Sequence, residues 1–69
     1  MENAIIFKLL NSLRLSKKPA YIIKRNGYFL VGLIVAVDPN HVLIEDRKDG
    51  NTIVAVSEIS EVREWRETA

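Results

Sequence analysis

The sequence contains no cysteine and only one histidine. Disulfide bonds are therefore excluded, and a structural zinc site is not expected, because such a site needs four nitrogen or sulfur ligands. There is also no Gly-rich phosphate loop, and the single histidine, His41, has no evident nucleophile beside it. We therefore expect neither a metal, nor a cofactor, nor an enzyme.

The sequence also lacks a long apolar run and a strong excess of one charge. The most apolar stretch, "LVGLIVAV" at 30–37, is far shorter than the roughly 20 residues that a membrane helix requires. No basic segment with a long apolar core follows the first residue, so we expect a cytoplasmic protein. The chain has ten basic and nine acidic residues, for a net charge of +1, so any patch that binds nucleic acid must be local.

The short length of the chain predicts one domain, residues 1–69, that associates with other subunits. A chain of this size buries only about 60% of its unfolded surface and is marginally stable alone. Disulfides and metals are not available, so oligomerisation is the remaining common source of stability. The apolar content of 48% is high for so small a chain and supports a subunit contact.

The first part of the chain predicts a helix at about 4–15. Its apolar residues recur at the spacing of one helical face, and they are Ile6, Leu9, Leu10 and Leu13. Asn3 is the predicted N-cap. The helix should end before Pro19, because proline disfavours helical backbone in the residue that precedes it.

The rest of the chain, about 20–65, predicts β structure. Short apolar runs alternate with turn residues and indicate strands at 20–25, 28–37, 41–46, 52–56 and 59–65. Asn26-Gly27 predicts a two-residue hairpin loop, and Asp38 to Asn40 form a turn cluster in which Asp38 should act as an acceptor. The tail, 66–69, is expected to fray.

Gly32 lies inside the longest predicted strand, where glycine weakens a sheet. Five consecutive strands in so short a chain fit one strongly bent antiparallel sheet that curls into a small barrel. We interpret Gly32 as the corner of this sheet, where a side chain would collide with the folded-over strands. The predicted fold class is therefore mainly β with one N-terminal helix.

Three sequence pieces resemble the Hfq branch of the Sm-like family. They are "LNSLR" at 10–14, "NGYFLVG" at 26–32, and an aspartate, Asp38, placed six residues after Gly32. The resemblance continues through "HVLIED" at 41–46 and ends at "VSEIS" at 56–60. It implies the Sm-like fold, in which a short helix precedes five bent strands.

The resemblance also implies an assembly and a function. Hfq-like proteins form rings, usually hexamers, in which the fourth strand of one subunit pairs with the fifth of the next. They act as RNA chaperones and post-transcriptional regulators without catalysis. RNA and further copies of this chain are the implied partners, and no membrane is involved.

The family places cations at the end of its helix, on the rim of the ring. The matching residues here are Arg14, Lys17 and Lys18, which we predict to contact RNA phosphates. The alternative is a solvated helix end whose cations complement the helix dipole.

The pore face has diverged from the family pattern. Hfq carries Tyr-Lys-His after its fourth strand, whereas this chain has Ala55-Val56-Ser57. The family's uracil-stacking aromatic is replaced by Asn40. The resemblance assigns RNA contacts here to Asn40, Val56 and Ser57, with His41 as a neighbour that either stacks on a base or is an ordinary solvated residue.

The opposite face has diverged as well. Ile23 and Val31 occupy the positions at which the family holds adenines, and Tyr28 and Phe29 offer stacking surfaces nearby. For both aromatics the alternative is packing in the core or at a subunit interface. Trp65 has two interpretations too, base stacking and cover for the barrel edge.

An apolar run on the second strand supports a competing function. Val31, Leu33 and Val35 stand where Hfq proteins often carry polar residues, and repetition around a ring would make a continuous apolar surface. This surface would bind a second ring or another protein. The alternative function is therefore an Sm-fold scaffolding ring with weak or no RNA binding.

Overall fold

The computed structural model describes residues 2–66 and contains every predicted helix and strand. The helix and strands begin and end within two residues of their predicted limits. Residues 67–69 of the tail predicted to fray lie outside the described residues. The elements are α1 (Asn3–Ser16), β1 (Ala20–Lys24), β2 (Phe29–Val37), β3 (His41–Asp46), β4 (Gly50–Ala55), a 3-10 turn (Val56–Glu58) and β5 (Ile59–Glu64).

Helix α1 packs one narrow face against β2, β5 and the 3-10 turn. Ile6, Leu10 and Leu13 are buried there, whereas Leu9 is 37% exposed, so the predicted apolar face was too wide. The N-cap prediction was also wrong. Asn3 is the first helical residue, and the extended residue before it, Glu2, makes no side-chain capping bond.

Helix α1 ends at Ser16, and the next residue, Lys17, has a left-handed backbone with φ of 56°. The N–H of Lys17 donates to the Arg14 carbonyl at 3.2 Å, and the N–H of Lys18 donates to the Leu13 carbonyl at 3.1 Å. This pair of bonds is the Schellman pattern, which usually places glycine at the left-handed position. The chain thus leaves the helix before Pro19, as predicted.

The five strands form one antiparallel sheet in the order β4-β3-β2-β1-β5. Strands β4 and β5 therefore lie at the two edges of the sheet. The core lies between the sheet and α1, and its side chains with less than 2% exposure are Ile6, Leu10, Ile22, Leu30, Ile44, Ile59, Val42 and Val56.

Gly32 sits where β3 approaches the β2 backbone, opposite Asp46. A Cβ atom on Gly32 would lie 1.8 Å from the carbonyl oxygen of Glu45, so no side chain fits. A register shift between Ile34 and Ala36 lies a short distance further along β2. Bulges of this kind bend a strand, and the predicted corner thus combines a close approach with a bulge.

The β1–β2 hairpin has a three-residue loop rather than the predicted two-residue loop. The N–H of Lys24 donates to the Tyr28 carbonyl at 2.8 Å, which encloses residues 25–27, and the N–H of Gly27 donates to the Lys24 carbonyl at 2.9 Å. Gly27 has φ of 88°, as the left-handed position of such a loop requires. The Asn26 side chain accepts the N–H of Tyr28 at 2.9 Å, which favours the longer loop.

Candidate functional site

The predicted rim cations lie together at the exposed end of α1. We call Arg14, Lys17 and Lys18 the rim cluster, and all three are exposed. Arg14 Nη2 donates to Asn11 Oδ1 at 3.2 Å, and Lys18 Nζ lies 3.5 Å from a Glu64 carboxylate oxygen. The left-handed backbone of Lys17 ends the helix, so Lys17 and Lys18 lie directly after its last turn.

The predicted pore-face residues are neighbours in the structure. The carbonyl of Asn40 accepts the N–H of Val56 at 2.8 Å, and His41 pairs with Ala55 between β3 and β4. Ser57, Asn40 and His41 are exposed. The Val56 side chain is only 1% exposed, because the 3-10 turn directs it into the core, so it does not lie on the surface where its contact with RNA was predicted.

Asp38 stabilises the β2–β3 turn, as predicted. One carboxylate oxygen accepts the N–H groups of Asn40 and His41, both at 2.7 Å. These two bonds lower the pKa of Asp38 below its ordinary value. Asp38 therefore fixes the backbone of Asn40 and His41, and its lowered pKa does not suit a general base at neutral pH.

The predicted opposite-face residues also lie together, with one correction. Ile23 pairs with Phe29 across β1 and β2, and both Tyr28 and Phe29 are exposed. Val31 is only 8% exposed, so the expectation that it lies on the surface is wrong. It lies in a shallow groove that is also lined by Phe29, Asp46, Arg47, Lys48 and Trp65.

Three aromatic rings on this face form a continuous row. The Tyr21 ring centroid lies 5.7 Å from that of Phe29 and 5.6 Å from that of Trp65. The ring planes are within 14° and 11° of parallel. We call Tyr21, Phe29 and Trp65 the aromatic row. Sequence reasoning missed Tyr21, although its place between the buried Ala20 and Ile22 put it on the outer face.

Two cations of the β3–β4 loop lie over these rings. Lys48 Nζ is 4.3 Å from the Phe29 ring centroid and 5.3 Å from that of Tyr28. The Arg47 guanidinium carbon is 5.9 Å from the Trp65 ring centroid. All three distances fall within the range of cation–π attraction. The outer face thus combines aromatic surface with positive charge.

Asp46 anchors the loop that carries these cations. One oxygen of its buried carboxylate accepts the N–H of Val31 at 2.9 Å, and the other accepts those of Lys48 at 3.1 Å and Asp49 at 2.9 Å. Burial raises the pKa of Asp46, but these backbone donors outweigh it, and the pKa is lowered overall. The N–H of Arg47 also donates to the Val31 carbonyl at 2.9 Å, so the loop is fixed to β2.

Several apolar side chains remain exposed on the strands. Leu33 and Val35 are each about half exposed, and Ile53 on the edge strand β4 is 70% exposed. Because Val31 is buried, the predicted surface of three residues reduces to Leu33 and Val35. Ile53 is not part of that predicted surface.

Residues 2–66 contain no group of three or more His, Cys, Asp or Glu side chains that could hold a metal ion. None of the helices in the same range is long and apolar enough to cross a membrane.

Two solved structures share this fold over most of their length. The pleiotropic translational regulator Hfq superposes with a TM-score of 0.73 at 19% identity, covering 84% of this chain and 95% of that one. An Hfq protein from Anabaena sp. has a TM-score of 0.71 at 24% identity, covering 84% of this chain and 92% of that one. No family model and no curated protein matches the sequence.

The chain therefore has the Hfq-type Sm-like fold, in which an N-terminal helix precedes five antiparallel strands. The resemblance that three short sequence pieces indicated is confirmed at the level of the fold. The low identity fits the divergence at the pore-face and opposite-face positions.

Proposed function

We propose that this chain is an RNA-binding ring protein that acts without catalysis, as an RNA chaperone and post-transcriptional regulator in the cytoplasm. The observation that carries the proposal is the Hfq-type fold with an exposed rim cluster at the end of α1. Phosphate groups would contact Arg14, Lys17 and Lys18. Each copy in a ring repeats these cations, and salt-dependent affinity grows with the number of phosphates neutralised.

The open sheet edges support the ring. Strands β4 and β5 end the sheet on opposite sides, and each presents backbone groups that another strand can pair with. Pairing β4 of one copy with β5 of the next satisfies both edges and covers Ile53, whose side chain is 70% exposed in the single chain. We propose a homohexamer, as the resemblance implies.

The test is a fluorescence anisotropy titration of nuclease-treated protein with labelled A-rich, U-rich and structured RNA at about 50 and 200 mM salt. We expect micromolar or tighter binding at the lower salt, with a steep loss at the higher. The variant Arg14→Gln/Lys17→Gly should weaken binding and reduce the salt dependence, by about 0.7 in the log–log slope for each phosphate that the variant no longer neutralises.

The matched control is Lys8→Gln/Lys24→Gln, which removes the same charge from other positions of a chain whose net charge is +1. If this control weakens binding as much as the rim variant, overall charge rather than the rim cluster drives binding. Absence of binding to every RNA at the lower salt contradicts the proposed function.

The exposed Leu33 and Val35 favour a second function, an Sm-fold scaffold with weak or no RNA binding. These side chains would then pack against a second ring. This alternative requires that concentrated protein sediments as paired rings and that Leu33→Lys separates the pairs. A single ring at every concentration contradicts the paired-ring form of this alternative.

A further inference from the structure

We propose that the β1–β2 loop and the 3-10 turn together form a binding site for a phosphate group. Arg25 is the residue that contacts the phosphate, and Lys24, Asn26 and Ser57 add donors around it. The inference goes beyond the proposed function, because the site lies apart from the rim cluster and needs no stacked base. Of its residues only Ser57 was among the predicted RNA contacts, and here its carbonyl also holds Arg25 in place.

The site is a small groove between two segments that are far apart in sequence. We call it the hairpin groove, and it is lined by Lys24, Arg25, Asn26, Ser57 and Glu58. Its volume is about 260 Å³. Pockets that enclose a whole small molecule hold roughly 300–1,000 Å³. The hairpin groove therefore suits a single phosphate group rather than an entire nucleotide.

Two hydrogen bonds hold Arg25 against the 3-10 turn. Its backbone N–H donates to the Glu58 carbonyl at 2.9 Å, and its side-chain Nε donates to the Ser57 carbonyl at 2.9 Å. The hydrogen bonds within residues 2–66 use only the Nε of this guanidinium, so both Nη groups keep their donors for a ligand. An anchored guanidinium presents paired N–H groups in one plane, which is the geometry that matches two oxygens of a phosphate.

Two uncharged side chains add donors beside Arg25. The Oδ1 atom of Asn26 accepts the N–H of Tyr28 at 2.9 Å, which leaves the Nδ2 group of the same amide as a donor at the groove. Ser57 is exposed and contributes its hydroxyl. The backbone bonds of the three-residue loop fix these groups in advance, so little conformational entropy is lost when an anion binds.

The charges that line the hairpin groove favour an anion. Lys24 Nζ lies 3.5 Å from Glu58 Oε2, so the one carboxylate of the groove is already paired. The positive charge of Arg25 is then uncompensated among the lining residues. A phosphate has enough acceptor oxygens for the guanidinium, amide and hydroxyl donors together, whereas a carboxylate offers only two oxygens. The donor set therefore indicates phosphate as the ligand chemistry, carried either by free phosphate or by the backbone of RNA.

The experiment records proton–nitrogen correlation NMR spectra of full-length, nuclease-treated protein during a titration with inorganic phosphate. A chloride titration at matched ionic strength is the reference, because salt alone screens charges. We expect saturable shifts of the Arg25 Nε–H signal and of the Asn26, Gly27 and Ser57 backbone signals with phosphate but not with chloride. A second titration uses a short oligo(U) whose only phosphates are those of its backbone.

The variant Arg25→Gln should weaken the binding that shifts these signals by at least about fivefold, because a bidentate charge-assisted pair lies at or above the upper end for exposed ion pairs. The matched control is Arg66→Gln, which removes the same charge from another exposed arginine and should bind phosphate like the unchanged protein. Thermal melting verifies that both variants fold. The spectra of the unchanged protein test the site independently of either variant.

The outcomes separate the two phosphate sources and leave the proposed function to its own test. Shifts with inorganic phosphate but not with oligo(U) assign the hairpin groove to free phosphate. Shifts with oligo(U) assign it to RNA, and Arg25→Gln should then lower the log–log salt slope by about 0.7 for each phosphate lost. If neither ligand shifts these signals, or if Arg66→Gln weakens binding as much as Arg25→Gln, the site is overturned, whatever the rim cluster binds.

Discussion

Gly32 gives the sharpest prediction at the scale of single residues. In Gly32→Ala the new Cβ atom would lie 1.8 Å from the carbonyl oxygen of Glu45, and the obstacle is backbone rather than a movable side chain. We expect a loss of at least about 3 kcal/mol in the free energy of unfolding, at or beyond the upper end for overpacking. Urea denaturation followed by circular dichroism measures this loss.

The control for this substitution is Gly27→Ala. A Cβ atom on Gly27 has no heavy atom within 4 Å, so only its left-handed φ of 88° opposes the change. That penalty is about 1–2 kcal/mol. Equal losses in the two variants would show that the approach of β3 does not explain Gly32.

Single residues differ in how well the sequence predicts their roles. The role of Gly32 was predictable, because glycine weakens a strand and its presence inside the longest predicted strand needs a structural reason. The role of Asp46 could not be predicted from the sequence. Its carboxylate accepts backbone N–H groups, including that of Val31, and every residue except proline carries such a group. Val31 and Val56 were assigned to surfaces by alignment alone, whereas the residues that line the groove cover Val31 and the 3-10 turn buries Val56.

At the scale of elements, the β3–β4 loop depends on the ionised carboxylate of Asp46. The pKa of Asp46 is lowered in the folded state, so its bonds add stability above its unfolded pKa of about 3.9. This contribution is lost as the pH falls through the lower folded value. Asp38, whose pKa is lowered in the same direction, contributes to acid sensitivity as well.

Asp46→Asn should destabilise the protein at pH 7 by roughly 1–3 kcal/mol, because the amide nitrogen cannot accept the N–H groups that the second carboxylate oxygen accepts. The difference from the unchanged protein should shrink as the pH falls below about 4. Unfolding in urea at a series of pH values measures this difference in the free energy of unfolding. Asp49→Asn, with the same change of charge in the same loop, should cost less than about 0.5 kcal/mol. A constant difference down to pH 3 would contradict the role given to Asp46.

Elements were predicted better than the contacts between them. Apolar periodicity gave the helix and all five strands, because each pattern is local to the element that it describes. The aromatic row was missed because its members lie on β1, on β2 and directly after β5, and Trp65 is far from the other two in sequence. Only the register, with Tyr21 opposite Val31 on one side and Arg63 on the other, brings Phe29 and Trp65 to the Tyr21 ring.

At the scale of the whole molecule, the two open edges predict that stability depends on protein concentration. Ile53→Lys places a charge on an edge side chain that is 70% exposed in the single chain, so it should disturb assembly more than folding. We expect a smaller species in analytical ultracentrifugation. The Tm of the unchanged protein should fall on dilution, because assembly stabilises only the folded chain.

Leu33→Lys is the matched control, because Leu33 is exposed and apolar but lies in the second strand rather than at an edge. Single rings should survive this substitution. Sedimentation of the Ile53→Lys protein at the mass of the unchanged assembly would contradict pairing through β4.

The left-handed backbone of Lys17 has a consequence for the evolution of this protein. Glycine adopts this conformation without strain, whereas a side chain there costs about 1–2 kcal/mol. Selection for stability alone would therefore drive position 17 towards glycine, and selection for a cation at the end of α1 would oppose that drift. The balance of lysine and glycine at this position in close relatives would measure how strongly charge, rather than stability, has been selected in each lineage.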